Sequence, residues 1–156
     1  MYKIFVTCHR FSLKLKCQMF KKILFLLLCI ALTNCSEDNL PSNCIRPLNI
    51  SISRSFDNPD FNKILTVGSV EINGGRKGIL LINKGLNRFI AFDKSCPNND
   101  CTTPMTFEDG IILKCSCDDS KYSVDLGGTP QTQGFYCPAI EYKAIKTGNS
   151  IRISNF

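Results

Sequence analysis

Histidine is nearly missing from this chain of 156 residues: the single copy is His9, and there is no tryptophan at all. Downstream of residue 9 that excludes Ser-His-Asp and Cys-His nucleophile arrangements. It also removes the commonest nitrogen ligand from any metal site there. No acidic residue precedes Glu37. No apolar run is long enough to span a bilayer comfortably. No segment carries a sustained helical period. The glycine pairs Gly74-Gly75 and Gly127-Gly128 have the composition of turns, not of a phosphate-binding loop.

What is present begins with a leader. Met19-Phe20-Lys21-Lys22 is a basic start, and residues 23–32 are an apolar stretch of signal-peptide length. The stretch ends at Leu32-Thr33-Asn34-Cys35-Ser36, which resembles the lipobox of bacterial lipoproteins, with Asn34 where Gly, Ala or Ser is usual, as in relaxed Bacteroidetes-type lipoboxes. The resemblance implies that Cys35 becomes the lipidated first residue; an ordinary cleaved signal peptide or an N-terminal anchor is the alternative. Residues 1–18 precede a complete signal peptide, so translation is expected to start at Met19. The expected organisation is a leader over 1–34 (signal peptide 19–34), a lipidated Cys35 with a flexible tether over 35–45, and a domain over 46–156. Glu37 and Asp38, directly after the lipobox, resemble a surface-export signal of Bacteroidetes lipoproteins; a solvated linker reads the same way.

Removing the leader changes the charge argument. Six of the 19 basic residues precede Cys35 and none of the 13 acidic ones do, so the rest of the chain carries 13 of each. The formal charge of +6 belongs to the leader and gives no support for nucleic-acid binding. Of the ten cysteines, Cys8, Cys17 and Cys29 leave with the leader and Cys35 takes lipid. Cys44, Cys96, Cys101, Cys115, Cys117 and Cys137 remain. An even number in an exported domain reads as disulfides first and metal second.

The domain reads as all-β. Residues 64–72 are rich in branched side chains, and residues 78–82 are a short apolar run suited to a strand buried on both faces. Residues 88–93 follow a turn at residues 85–87. Asp109-Gly110 is a two-residue hairpin signal between residues 105–108 and 111–114. Residues 121–125 form a further strand, and a last hairpin pairs residues 140–146 with 150–154 around Thr147-Gly148-Asn149. Phe56, Phe61, Phe89, Phe92 and Phe107 are most simply core. Asp118, Asp119 and Asp125 would suit a hard cation, but a charged loop tip is the more frequent explanation.

Two Cys-bearing loops stand out: Cys96-Pro97-Asn98-Asn99-Asp100-Cys101, and Cys115-Ser116-Cys117-Asp118-Asp119-Ser120-Lys121-Tyr122. Their layout resembles the Rieske iron–sulfur domain, in which one loop reads C-x-H-x-x-C and the other C-x-C-H-G-S-x-Y. There, one Cys and one His from each loop hold a [2Fe–2S] cluster. The resemblance spans residues 64 to the C-terminus and implies stacked antiparallel sheets with both loops at one tip. It places Cys96 and Cys115 on the ligand positions, Cys101 and Cys117 on the disulfide of respiratory-type members, and Ser120 and Tyr122 on the hydroxyls that bond cluster sulfurs.

The departures matter as much. Asn98 and Asp118 stand at both histidine positions, Asp119 at a glycine, and Phe135 at the usual proline of a third loop. An amide is a poor iron ligand, and one carboxylate does not restore the pair on the second iron. Lys21-Lys22 in place of an arginine pair marks Sec-type export, so the thiols would meet an oxidising compartment without a cluster. The resemblance then implies a Cys96–Cys115 bridge beside Cys101–Cys117, with Cys44–Cys137 left as the remaining pair by arithmetic.

Three functions are carried forward. The first is a cluster-free binding or structural module of the cell envelope, anchored by lipid and meeting an envelope protein, with no catalytic residue and no cofactor. The second is an electron carrier with an atypical [2Fe–2S] or other metal centre on Cys96 and Cys115. The third is a thiol–disulfide redox protein. The expected location is the outer membrane, facing either side. Mass spectrometry of the mature N-terminus should find diacyl- or triacyl-modified Cys35, and Cys35→Ala should release the protein from membranes; an unmodified terminus elsewhere would refute the anchor.

Overall fold

A stretch of five residues, Ile79–Asn83, is buried along its whole length. The computed structural model describes residues 40–59, 61–66, 68–98 and 101–155. Within them the chain forms ten strands: β1 (Ser51–Ser55), β2 (Gly68–Ile72), β3 (Ile79–Asn83), β4 (Phe89–Asp93), β5 (Thr106–Glu108), β6 (Ile112–Lys114), β7 (Lys121–Ser123), β8 (Thr129–Pro130), β9 (Glu141–Thr147) and β10 (Ser150–Ser154). All pairings are antiparallel, in a six-stranded sheet ordered β1-β10-β9-β4-β3-β2 and a four-stranded sheet ordered β5-β6-β7-β8. The all-β expectation holds.

Every residue of β3 is buried, because β3 separates two cores. Side chains alternate across a strand. Ile79 and Leu81 point into one core with Phe56, Phe61, Phe89, Ile151 and Ile153. Leu80 and Ile82 point into the other with Phe92, Met105, Leu113 and Tyr122. Cross-strand partners keep to one face: Leu80 lies opposite Phe92, and Leu113 opposite Tyr122. The first core belongs to the large sheet. The second joins the large sheet to the small one, and it contains Cys96 and Cys115.

Most predicted strands appear within a residue or two of their expected ends, and Asp109-Gly110 makes the hairpin turn with φ of 53° and 72°. Two differences are informative. Residues 64–66 are not strand: Asn62–Leu65 is a 3-10 turn, and fully buried Ile64 plugs the first core. The Asn83 side-chain amide holds that turn by donating to the carbonyls of Ile64 (2.7 Å), Leu65 (3.3 Å) and Thr66 (3.1 Å). Serine-rich β1, which no sequence pattern signalled, closes the sheet edge against β10 with Ser51 opposite Ser154.

The end of the expected tether also belongs to the fold. Cys44 is buried, and Ile45 N–H donates to the Pro97 carbonyl at 3.2 Å. The leader, the Met19 start, Cys35 and the acidic residues after it lie outside the described residues. Among the described residues no helix is long and apolar enough to cross a membrane.

Asp93, at the end of β4, is fully buried. Its carboxylate accepts from the backbone N–H of Arg76 (2.7 Å), Lys77 (3.3 Å) and Ser95 (2.9 Å) and from the Tyr142 hydroxyl (3.1 Å). Four donors compensate an anion taken out of water. They also join the turn after β2, the start of the first Cys loop and β9. Gly75 (φ 63°) lies so close that a Cβ there would collide with the Asp93 carboxylate. Burial, and then the Asp93 charge, push the Tyr142 hydroxyl up to about 12. A tyrosine raised in the folded state stays neutral while the unfolded one ionises near pH 10, so its stabilising effect is present below pH 10 and is lost toward pH 12. Denaturant titrations should show roughly 2–3 kcal/mol lost across that window. Tyr142→Phe should be about 1 kcal/mol less stable at pH 7 and should flatten the alkaline slope; an unchanged slope would refute the assignment.

Candidate functional site

The two Cys loops leave the ends of strands that face the second core. The first runs from β4 to β5 and is closed at its base by Met105 N–H donating to the Lys94 carbonyl at 2.6 Å. The second joins β6 to β7 and is closed by Cys115 N–H donating to the Ser120 carbonyl at 2.9 Å. Three disulfides cross this region: Cys96–Cys115 (Cα separation 5.5 Å), Cys101–Cys117 (5.7 Å) and Cys44–Cys137 (5.3 Å). These are the three pairs that the resemblance and the arithmetic implied. Cys96–Cys115 is sealed inside the second core, whereas Cys101 is half-buried and Cys117 exposed.

Beside the buried bridge, the side chains of Asn98 and Asp118 meet each other. The Asn98 amide donates to Asp118 Oδ2 at 3.2 Å. The other carboxylate oxygen accepts from the Ser120 hydroxyl and, at 3.0 Å, from the Ser120 N–H. With its proton committed there, fully buried Ser120 receives the hydroxyl proton of Tyr122 across 2.8 Å. Tyr122, Ser120, Asp118 and Asn98 thus form one chain of hydrogen bonds. Partial burial works to raise the Asp118 carboxyl, but the bonds from Ser120 and Asn98 prevail and hold it below the usual carboxylate range. Burial pushes the Tyr122 hydroxyl up from its ordinary value, so it is protonated well beyond neutral pH.

Asp119 adopts φ 57°, a left-handed conformation that glycine takes without cost and Asp tolerates. The backbone path there is one that glycine would also follow. The Asp119 carboxylate pairs with Lys114 at 2.9 Å and, chiefly through that hydrogen bond, raises the ammonium. Asp125 pairs instead with Lys84 at 2.7 Å. The three aspartates are therefore committed to three different partners and do not converge on a cation.

The Sγ atoms of Cys96, Cys101 and Cys115 lie within 4.8 Å of one another. As thiolates they are a soft donor set; as disulfides they offer a metal no charge. The residues present do not fit a cluster held by two cysteines and two histidines: no histidine lies among the described residues, the Asn98 amide and Asp118 carboxylate are bonded to each other, and Cys96 and Cys115 are in a bridge.

Sequence reasoning missed the hydroxyls around the outer bridge. Thr103 Oγ1 lies 3.4 Å from both Cys101 Sγ and Cys117 Sγ and accepts from the Ser116 hydroxyl at 3.0 Å. It also missed the way the N-terminal segment flanks the first loop, where Cys44 bridges Asn98. Asn98, Pro41, Asn43, Gly134, Phe135 and Tyr136 line a cleft of about 200 Å³ there. Tyr136 is 78 % exposed. Ser and Thr hydroxyls carry no sequence signal of their own, and the cleft depends on a covalent tie across 93 residues. No protein-family model, curated protein or solved structure matches this chain.

The Cys44–Cys137 bridge holds one wall of the cleft. A Cys44→Ser, Cys137→Ser double variant should lose about 2–4 kcal/mol in denaturant titration. Protease should then cut first in the segment before β1. Equal stability and equal resistance to cutting would show that the segment is held by packing alone.

Proposed function

We propose that this chain is a Rieske-like envelope lipoprotein that has lost its cluster and serves as a cluster-free binding or structural module, its loops stapled by disulfides. One observation carries the reading: Asn98 and Asp118, at the two histidine positions, are hydrogen-bonded to each other beside a Cys96–Cys115 bridge. What a cluster would do for the loops in such a domain is done here by two covalent bonds and one polar chain. The left-handed backbone at Asp119 and the retained Ser120 and Tyr122 hydroxyls support the ancestry. Lipid on Cys35 would hold the domain at the outer membrane, and an envelope protein would meet it at the loop tip. That tip presents Tyr136 and the cleft beside Asn98, which is surface suited to contact rather than to turnover.

The test is protein purified from its native envelope. It should be colourless, with neither iron nor acid-labile sulfide. Brown protein with about two of each per chain would contradict this reading and establish the electron carrier with an atypical centre. In a reducing cytoplasm, Asn98→His with Asp118→His should restore visible absorption and two irons per chain if the scaffold is that of a Rieske domain.

A further inference from the structure

We propose that the two loop disulfides form a thiol–disulfide relay: the exposed Cys101–Cys117 bond takes up an external dithiol's reducing equivalents, and Cys101 passes them to the buried Cys96–Cys115 bond. The proposal goes beyond the module described above and rests on it only in requiring both bridges.

The asymmetry of the four sulfurs is the argument. Cys96 and Cys115 are 2 % and 0 % exposed, so no thiol from solution reaches their bond directly. Cys117 is exposed and Cys101 half-buried, so an incoming thiolate attacks Cys117 Sγ and displaces Cys101. The displaced sulfur is the one within 4.8 Å of both Cys96 and Cys115, a set to which Cys117 does not belong. Thr103 supports the leaving sulfur. Its hydroxyl accepts from Ser116, which leaves its own proton free to donate to either outer sulfur, Cys101 Sγ or Cys117 Sγ, each at 3.4 Å; once Cys117 is bonded to the incoming thiol, the proton serves the Cys101 thiolate. That donation stabilises the thiolate form, the nucleophile in exchange.

The steps balance. A dithiol, either a small molecule or the reduced Cys pair of a thiol oxidoreductase, is oxidised to its disulfide. Its two electrons convert Cys101–Cys117 to two thiols. The Cys101 thiolate then attacks one sulfur of Cys96–Cys115, forming one S–S bond and breaking one. The displaced thiolate takes a proton from solvent. No further oxidant or reductant is consumed. The result is a bridge from Cys101 to Cys96 or Cys115, with one formerly buried sulfur freed and the staple between the sheets opened.

The experiment compares two variants made in the protein's own envelope, alkylated under acid quench and mapped by non-reducing mass spectrometry. In Cys117→Ser, which leaves Cys101 free, a bridge from Cys101 to Cys96 or Cys115 should appear, with the displaced partner alkylated. In Cys101→Ser, which leaves Cys117 free, Cys96–Cys115 should stay intact and only Cys117 should be alkylated. Identical maps that keep Cys96–Cys115 in both variants would overturn the relay. The unmodified protein provides a second arm that needs no variant to fold. Limited dithiothreitol should yield the rearranged bridge together with alkylated Cys117 before full reduction; a partly reduced species with Cys101 and Cys117 both alkylated and Cys96–Cys115 intact throughout would overturn it. If the untreated protein shows Cys96 and Cys115 unlinked, the bridge assignment itself fails and the relay with it, whereas a correct starting map with no rearrangement defeats the relay alone.

Discussion

The Cys96–Cys115 bond is the constraint on which the rest of this arrangement depends. Cys96 follows β4, a strand at the middle of the large sheet, and Cys115 directly follows β6 in the small one. Their bond lies within the core that separates the two sheets, among Phe92, Met105, Leu113 and Tyr122. A small domain buries a smaller share of its surface than a large one and gains correspondingly from a covalent tie. Each loop bridge closes fewer than twenty residues, 19 for the inner and 16 for the outer, and by loop entropy each contributes about 3 kcal/mol.

With that bond in place, the polar groups around it have limited freedom; Asp93, Asn98, Asp118, Ser120 and Tyr122 have each found a partner, whereas the buried Ser95 hydroxyl has none. Asp93 fixes where the first loop starts, through three backbone N–H groups and Tyr142. Asp118 fixes the second loop through Ser120 and reaches across to Asn98 in the first. The sites of two imidazoles in the proposed ancestor are thus held by a side-chain amide and a carboxylate, which satisfy each other. Such a pair suits a place where no metal supplies charge, because the anion is solvated by donors instead of by a cation. The relay proposed for the sulfurs uses the same geometry, since the loops that are held together also hold the two S–S bonds against each other.

Much of this was legible in the sequence. The apolar run of β3 announced a strand buried on both faces, and Asp109-Gly110 announced its turn. The even set of six cysteines pointed to bridges, and the two loop patterns suggested which sulfurs meet. What stayed hidden depends on contacts distant along the chain. The branched residues at 64–66 read as strand until the Asn83 amide captures their carbonyls. Serines hid β1, whose place is set by β10 at the other end of the chain. Cys44 looked like the end of a tether because its partner is 93 residues away. The Asn98–Asp118 bond could be read only as two absent histidines, since nothing in a linear pattern says that two replacements touch.

Non-reducing peptide mapping of the protein taken directly from its envelope, with thiols trapped at lysis, tests the central claim most directly. The account predicts Cys96 joined to Cys115 and Cys101 joined to Cys117 in the same molecule, with neither pair accessible to alkylation. Alkylated Cys96 and Cys115 beside an intact Cys101–Cys117 bridge would contradict it, because two free inner thiols are the state that a metal centre requires.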